Sequence, residues 1–263
     1  MRLTEILREI VWPRRAICLC CQRPSRGGHL CAECEERLEA LRIEGPVCEL
    51  CGHPLEEGAC VFCDRTGVAV LRSVWVHRDE CRELVHALKY DGVAAAASVL
   101  ADGMAELARG LGLPPDTVVT WPTMLQRRKL ERGIDHSMLL AQGVGERLGL
   151  PVRQLLVRSE KVAVSTQVGM GRRERLTRLQ GAFSCETAWR GPVLLVDDVI
   201  TTSATATVCA ECLLDAGASA VMVITAAQAA LRYGKNGKED RDDAGEEAAG
   251  MVGFEPVDDE RRA

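Results

Sequence analysis

The sequence predicts an α/β protein in which a parallel sheet carries helices on both faces and a small cysteine-rich module precedes it. Two observations support this fold class. Apolar strand-like runs alternate with amphipathic helical segments over most of the chain, as in proteins built from parallel strands and crossover helices. The region before them instead holds nine of the thirteen cysteines at regular spacing. With 263 residues, 47% of them hydrophobic, the chain is long enough for one complete α/β domain and a smaller module.

An amphipathic helix is expected over residues 1–17. Its apolar residues recur at helical spacing: Leu3, Ile6, Leu7, Ile10 and Val11. Glu5 and Glu9 interrupt the apolar run, so we expect no cleaved signal peptide. No stretch reaches the roughly 18 uncharged apolar residues of a membrane span. We therefore expect a cytoplasmic protein with no membrane span.

Residues 18–66 are predicted to form a zinc-binding module. They contain four C-x-x-C pairs, namely Cys18 with Cys21, Cys31 with Cys34, Cys48 with Cys51, and Cys60 with Cys63. Two thiolates on such a turn converge on one metal, and two turns complete a tetrahedral site. The short intervals within each half favour two consecutive structural Zn²⁺ sites of four sulfurs each. Interleaved pairing, or a single occupied site, remains open.

Other uses of these cysteines fit the sequence less well. A disulfide framework is disfavoured in a chain expected in the cytoplasm, and four repeated pairs are too many for one redox-active C-x-x-C. Cys20, His29 and His53 could replace a thiolate ligand, although each also suits an ordinary turn. Cys209 and Cys212 form a further C-x-x-C inside a predicted helix, and we interpret them as small buried apolar residues.

The α/β domain is expected over residues 67–231, followed by a disordered tail over 232–263. Expected strands cover residues 68–77, 117–121, 151–156, 193–196 and 220–225. Expected helices cover residues 80–90, 94–109, 133–148 and 205–216. The tail is rich in glycine and charged residues and contains few apolar residues, which is typical of disorder.

The most informative stretch joins an apolar strand to a hydroxyl-rich helix start. Asp197 and Asp198 follow four apolar residues and precede the small residues Thr201, Thr202, Ser203, Ala204 and Thr205. Ligands of parallel sheets bind beyond the carboxyl ends of the strands, and backbone N–H groups at a helix start attract anions. Paired carboxylates suit the two cis hydroxyls of a ribose. The stretch therefore predicts a ribose-phosphate site.

Two alternatives compete with this interpretation. An acidic strand end is also found as a purely structural feature, and a similar stretch opens response-regulator receiver domains, where the acids hold a metal. A receiver domain needs roughly 120 residues after this strand. Here only 65 residues follow Asp198, which disfavours it.

Two basic segments flank the predicted site. Arginines and glycines are dense between Arg158 and Phe183, and this segment could close over a pyrophosphate because a guanidinium pairs with phosphate oxygens. A solvated basic helix from Gly171 to Arg178 is the alternative. A second basic loop is expected at 127–132, with the same ambiguity.

Composition limits the possible functions. Aromatic residues make up only 3% of the chain, which leaves little for base stacking on aromatic platforms. The formal net charge of −5 disfavours broad coating of a nucleic acid. The cysteine-rich segment itself is acidic, so its contacts to phosphates would be poor.

Several motifs together resemble one family. They are the four C-x-x-C pairs, Leu88-Lys89-Tyr90, Arg132-Gly133, Thr166-Gln167, Glu174-Arg175, Gly181-Ala182-Phe183 and the segment from Asp197 to Thr205. In this order and spacing they resemble the ComF family of competence proteins, which carry a type I phosphoribosyltransferase-like domain. The likeness runs from about Cys18 to about Thr225.

The resemblance implies binding of phosphoribosyl pyrophosphate with Mg²⁺. Asp197 and Asp198 would hold the ribose hydroxyls, and residues 201–205 would hold the 5-phosphate. A lid around Gln167 and Arg175 would cover the pyrophosphate, with Arg175 as a catalytic cation. Lys89 would contribute to substrate binding. Cations near the leaving pyrophosphate would stabilise the charge that develops as the C1–oxygen bond breaks.

The chain departs from the family pattern at three places. Ser203 stands where the phosphate-binding loop has glycine, Ile134-Asp135-His136 replaces Phe-Asn-Gln, and Arg178 replaces an asparagine. These departures could weaken binding or change the acceptor. We interpret His136 as a surface or packing residue rather than a general base.

Three functions follow from these features. The first is an enzyme that transfers phosphoribose to a nitrogen nucleophile. The second is a non-enzymatic phosphoribosyl- or nucleotide-binding module that couples to a protein of the DNA-uptake machinery. The third is a zinc-ribbon binder of single-stranded DNA with an inert α/β body. The sequence leaves the acceptor, the physiological process and the oligomeric state open.

Overall fold

The computed structural model describes residues 16–25, 28–48, 52, 55, 68–90, 94–160, 179–201, 203–229, 232–233 and 239–240. Predictions for residues 1–15 lie outside this part of the chain, and Ala16–Ile17, at the end of the expected first helix, instead form a short strand.

The cysteine-rich module begins with a hairpin followed by a helix. Strand β1 (Ala16–Ile17) pairs antiparallel with β2 (Pro24–Ser25), and helix α1 covers Ala32–Glu39. The hairpin turn carries the first C-x-x-C pair, and the second pair lies at the start of α1. Ser25 Oγ lies within hydrogen-bond distance of both Ala16 O and Gly28 O, which ties the hairpin to the segment before α1.

The other elements follow in chain order. They are β3 (Val70–Val76), α2 (Asp79–Tyr90), α3 (Ala94–Arg109), β4 (Val118–Thr120), α4 (Gln126–Arg132), α5 (His136–Leu148), β5 (Leu156–Arg158), β6 (Phe183–Cys185), β7 (Pro192–Ile200), α6 (Ala204–Asp215), β8 (Ala220–Gln228), β9 (Arg232–Tyr233) and β10 (Glu239–Asp240).

The central sheet has the strand order β3-β8-β7-β4, and all three pairings are parallel. Val152 extends it by one parallel bridge to Val119. Strands β5 and β6 form a separate antiparallel pair beside this sheet.

Helices cover both faces of the sheet, because successive side chains of each strand point to opposite faces. Leu194 and Val196 of β7 belong to the apolar cluster that includes α2, α3 and α5. Val193 and Leu195 belong to the cluster on the other face, which includes α6. The parallel three-layer architecture predicted from the sequence is therefore confirmed.

The cysteine-rich module packs directly on the sheet. Leu38 and Leu41 join the apolar cluster of α2 and α3. The residues after α1 also pair with β3: Ile43 N donates to Val74 O, and Val76 N donates to Leu41 O. The module and the sheet therefore share one apolar core and one set of backbone hydrogen bonds.

Three predicted elements differ from the structure. The basic segment 127–132, expected as a loop, lies in α4. The helix expected from residue 133 begins only at His136, because Gly133 ends α4 in the left-handed region at φ 73°. In the tail, expected to be disordered, β9 pairs antiparallel with β10, and the residues around these four lie outside the described part.

None of the helices in the part of the chain that the structure describes has both the length and the apolar character that crossing a membrane requires.

Candidate functional site

The paired carboxylates lie inside β7, not beyond its end as the sequence suggested. Strand β7 continues to Ile200 because its parallel pairing with β8 persists, with Asp197 opposite Thr225 and Val199 opposite Ala227. Asp197 and Asp198 therefore stand near the carboxyl edge of the sheet, where parallel folds bind ligands.

The two carboxylates face different surroundings. Asp197 lines a cavity of about 50 Å³ on the α6 side of the sheet. Asp198 is buried on the other side, among residues of α2 and α5. The two carboxylates are therefore not equivalent and do not face the same space.

Asp198 is held by two nitrogen-bearing side chains. Its Oδ2 lies 3.3 Å from Lys89 Nζ and 2.9 Å from His136 Nε2. Burial alone raises the pKa of Asp198, but Lys89, His136 and the Val199 N–H outweigh it and hold this pKa below its usual range. Asp198 is accordingly an ionised carboxylate whose charge is already balanced within the protein.

Asp197 has weaker partners. Its Oδ1 accepts hydrogen bonds from Ser137 Oγ at 3.1 Å and from the Asp198 N–H at 2.9 Å. Burial and the neighbouring charge of Asp198 raise the pKa of Asp197 to about 7. The two acids thus have pKa values on opposite sides of the usual range, an arrangement that lets one accept or release a proton near neutral pH.

Asp135 positions the residues that contact both carboxylates. It is buried and caps the N-terminus of α5, where its Oδ1 accepts from Met138 N at 3.2 Å. Its Oδ2 accepts from Trp121 Nε1 at 3.3 Å. His136 and Ser137 follow directly on the first turn of α5, so the cap fixes the two side chains that reach Asp198 and Asp197.

The start of α6 forms the other wall of the cavity. Thr201, Ser203, Ala204 and Thr205 line it together with Asp197. Ser203 precedes α6 in the left-handed region at φ 55° and ψ 1°. Its carbonyl accepts hydrogen bonds from Thr207 N at 2.9 Å and from Thr207 Oγ1 at 3.0 Å. Small side chains leave the first N–H groups of α6 accessible to an anion.

Arg158 supplies a partly buried cation beside this edge of the sheet. Its Cζ lies 5.2 Å from the centroid of the Phe183 ring on the paired strand β6. Burial, followed by repulsion from Arg128, lowers the pKa of Arg158. Its Nε is buried and has no hydrogen-bond partner among the described residues. An anionic group bound here would pair with the buried charge of Arg158 and would accept a hydrogen bond from its Nε.

The first predicted zinc site is brought together by the hairpin and α1. The sulfur atoms of Cys18, Cys21, Cys31 and Cys34 all lie within 4.8 Å of one another. Four converging thiolates match the tetrahedral sulfur shell that Zn²⁺ prefers in structural sites. A hydrogen bond from Arg23 Nε, 3.3 Å from Cys21 Sγ, helps to lower the pKa of Cys21 to about 6. The cluster therefore fits structural zinc.

Several predicted site residues cannot be placed. Of the second cysteine set only Cys48 is described, and it is buried. The remaining ones lie outside the described residues: Cys51, Cys60, Cys63, Gln167, Arg175 and Thr202.

Sequence reasoning underestimated α5. The structure brings His136, interpreted as a surface or packing residue, within 2.9 Å of Asp198. Ser137 was not singled out at all. The available signal was Asp135, since an aspartate directly before a helical pattern is a typical N-cap. Such a cap places His136 and Ser137 on the first turn of the helix.

Comparison with known proteins supports the same architecture. A family model described as a double zinc ribbon domain matches residues 7–67. The DNA utilization protein YhgH of Escherichia coli (strain K12) is 31% identical over 220 residues, which cover 79% of this chain and 94% of that protein. The competence protein ComFC of Bacillus subtilis (strain 168) is 28% identical over 205 residues, covering 73% of this chain and 80% of that one.

Solved structures give more distant likenesses. A glutamine phosphoribosylpyrophosphate amidotransferase from B. subtilis, complexed with ADP and GMP, matches 54% of this chain with 22% identity and a TM-score of 0.36, and only 30% of its own length is covered. A purine phosphoribosyltransferase from Pyrococcus horikoshii Ot3 matches 51% of this chain and 72% of its own, with 18% identity and a TM-score of 0.32. Because both TM-scores are low, the assignment of the fold rests on the strand order and pairing described above.

A parallel α/β domain with an N-terminal zinc ribbon is the class of protein that this fold and these sites define. The extent of the match to the DNA utilization protein YhgH, together with that to ComFC, shows that the chain belongs to the ComF family.

Proposed function

We propose that the cavity between β7 and α6 binds phosphoribosyl pyrophosphate, and that the protein transfers its phosphoribose to a nitrogen nucleophile. The observation that carries this proposal is one small cavity that is lined by Asp197, Thr201 and residues 203–205. Its size of about 50 Å³ suits one phosphate group rather than a whole nucleotide.

The residues around the cavity suit the parts of this donor. The first N–H groups of α6 would bind the 5-phosphate, since a helix start favours an anion. Asp197 would accept hydrogen bonds from a ribose hydroxyl. Asp198 faces the other side of the sheet and is paired with Lys89 and His136, so it would contribute by fixing these two side chains beside the ribose site.

Cations on the same edge would stabilise the leaving pyrophosphate. Arg158 has a buried Nε without a described partner, and its charge is poorly solvated. Arg175 and Gln167 belong to the same proposal, as parts of the segment between β5 and β6. Lys89 is paired with Asp198, so its predicted role in substrate binding requires this ion pair to rearrange.

The oxygen ligands at the cavity fit Mg²⁺ only in part. Carboxylate and hydroxyl oxygens are its preferred ligands, and Asp197 and Thr201 offer both at the cavity. Asp198 is occupied by Lys89 and His136. Bound Mg²⁺ would neutralise charge on the phosphate oxygens. Asp197 would hold it together with the donor's own oxygens.

Calorimetric titration with phosphoribosyl pyrophosphate and MgCl₂ tests the binding. At pH 8, above the pKa of Asp197, Asp197→Asn should weaken it by roughly tenfold or more, because a charged hydrogen-bond acceptor is lost. Glu211→Gln is the matched control, since it removes an exposed carboxylate from α6 away from the cavity. Equal affinity of the two variants would refute the assigned site.

Release of pyrophosphate over a panel of nucleobases and amines tests the transfer. Turnover should disappear in Asp197→Asn and Asp198→Asn. A wild-type rate no higher than that of these variants would exclude the enzyme.

A non-enzymatic binding module is the second candidate, and two observations favour it. Ser203 places a side chain at a left-handed position where close approach of a phosphate favours glycine, and Asp198 is already neutralised by two partners. Relatives are named for DNA utilization and competence, so the bound ligand could control a partner in DNA uptake. Binding of the donor without its consumption would select this function.

A further inference from the structure

Two cysteines outside the zinc module lie next to each other across two elements. Cys185 is the last residue of β6, and Cys212 lies in the last turn of α6. Their sulfur atoms are 3.3 Å apart, and the Cys185 thiol also lies 3.5 Å from Cys212 O. This separation is close to van der Waals contact, so little movement is needed to form a bond.

The pair is accessible from solvent. Both cysteines are partly exposed and line an open cavity of about 400 Å³ together with the exposed residues Gln180 and Glu211. Cys81 and Cys209, in contrast, are fully buried. The interpretation of Cys209 as a small buried residue thus agrees with the structure, whereas Cys212, interpreted in the same way, is partly exposed and lies beside Cys185.

We propose that Cys185 and Cys212 form an oxidation site, at which hydrogen peroxide, a neutral oxidant, converts the two thiols into a reversible disulfide.

The surrounding charges favour a neutral oxidant. Glu211 and Asp215 border the same cavity, so an anionic reagent such as oxidised glutathione is repelled. Burial raises the pKa of Cys185 to about 12. Burial also raises the pKa of Cys212, but a hydrogen bond from Cys185 offsets part of that rise. Cys212 is therefore the thiol that ionises first and attacks, and the reaction should accelerate with pH.

The reaction balances in two steps. The Cys212 thiolate attacks one peroxide oxygen; an S–O bond forms, the O–O bond breaks, and the leaving hydroxide takes up a proton to become water. The Cys185 sulfur then attacks the Cys212 sulfur; an S–S bond forms, the S–O bond breaks, and the released hydroxide takes the Cys185 proton. The two sulfurs lose two electrons, the peroxide gains them, and two waters are the products.

The disulfide would join the β5–β6 pair to α6. Strand β6 is bonded to β5 through Phe183 and Arg158, and α6 begins at the cavity that holds Asp197. Oxidation would therefore fix the β5–β6 pair relative to the helix whose start lines the candidate site. The proposal itself does not depend on what that site binds.

Peptide mapping after treatment of the full-length, zinc-loaded protein with hydrogen peroxide tests the proposal. Trypsin places Cys185 in peptide 179–190 and Cys212 in peptide 191–232, which also contains Cys209. Cys209→Ala makes the assignment unique. We expect these two peptides to appear as one species lacking two hydrogens, to separate with dithiothreitol, and to form faster at higher pH.

Three controls keep the result interpretable. Cys185→Ser and Cys212→Ser should each abolish the linked species. Zinc release, followed with a chromogenic chelator, should come later than the link. The oxidised protein should melt higher by roughly 5 °C or more, because the bond restricts the unfolded chain.

Absence of the linked peptides from folded, zinc-loaded protein would overturn the proposal. A link that forms only after zinc has been released would overturn it too, because it would then report an unfolded chain. If diamide, which needs no peroxide chemistry, also fails to link the pair, the geometry itself is refuted.

Discussion

Ser203 carries a local conformational cost at the entrance to α6. A side chain in the left-handed region costs roughly 1 kcal/mol relative to glycine. Ser203 adopts φ 55°, and its carbonyl is fixed by Thr207, so the turn cannot relax without breaking the first hydrogen bonds of α6.

Ser203→Gly should therefore stabilise the protein by roughly 0.5–1 kcal/mol, measured by urea denaturation. It should also tighten binding of the phosphoribosyl donor, since a Cβ is removed beside the cavity. Ser203→Ala retains the Cβ and serves as the control. If Ala and Gly raise stability equally, the hydroxyl rather than the backbone is responsible.

Asp197 should make stability depend on pH. Its pKa is raised to about 7 in the folded protein, so the folded state holds a proton that the unfolded chain has lost. Stability must then fall as the pH rises from about 4 to about 7.

The asparagine in Asp197→Asn cannot ionise. The free energy of unfolding of this variant, relative to that of the wild type, should therefore increase by roughly 1–3 kcal/mol between pH 5 and pH 8. Denaturant melts at several pH values measure this difference. Asp116→Asn, at an exposed position, should show no such trend. A flat difference for Asp197→Asn would mean that the carboxylate ionises normally.

The start of helix α5 depends on the contacts of its N-cap residue, Asp135. Asp135 accepts hydrogen bonds from Trp121, Met124 and Met138 and is buried. Its removal would leave these donors unsatisfied and would release His136 and Ser137 from the carboxylate pair.

Asp135→Ala should lower the free energy of unfolding by roughly 2 kcal/mol and weaken donor binding in parallel. Asp135→Asn keeps an oxygen for the cap and should recover most of the stability. Thermal denaturation combined with calorimetry separates the two effects. Normal binding by folded Asp135→Ala would show that α5 does not position the site.

Sequence patterns predicted those elements whose apolar residues repeat regularly. The bounds of α3 match the expectation because a long alanine- and leucine-rich stripe packs on the sheet. Helix α4 was missed because it presents no apolar stripe: its Leu130 is 77% exposed. Strand β7 proved longer than expected because pairing with β8 continues past the apolar residues.

The candidate site was predictable where it is local and not where it is assembled from distant residues. Asp197, Asp198 and the small residues before α6 are neighbours in the sequence. Ser137 lies 60 residues from Asp197, and only the fold brings them to 3.1 Å. The same holds for Cys185 and Cys212, since no spacing rule links β6 to α6.

At the scale of the whole molecule, the zinc module and the sheet should unfold together. Leu38 and Leu41 belong to the same apolar cluster as Trp75 and Leu84. Loss of the zinc that four sulfurs could hold would remove on the order of 10 kcal/mol from the module and expose these residues.

Removal of zinc with a strong chelator should therefore lower the melting temperature of the entire protein by roughly 5 °C or more. Hydrogen exchange should show early loss of protection at the Val76 amide, which donates to Leu41 O, but not at Leu195 in the middle of β7. Cys21→Ser should mimic chelation, whereas Cys20→Ser, outside the four-sulfur cluster, should not. An unchanged melting temperature would show that the two parts are independent.

The short ladder between residues 41–43 and β3 has a further consequence for the behaviour of the protein in solution. Strand β3 is the last strand of the sheet on that side, so this ladder is what covers its open hydrogen-bonding edge. A bare edge is a template on which another polypeptide can add a strand. A zinc-depleted preparation should therefore become prone to aggregation, and the metal would protect the protein's solubility as well as its fold.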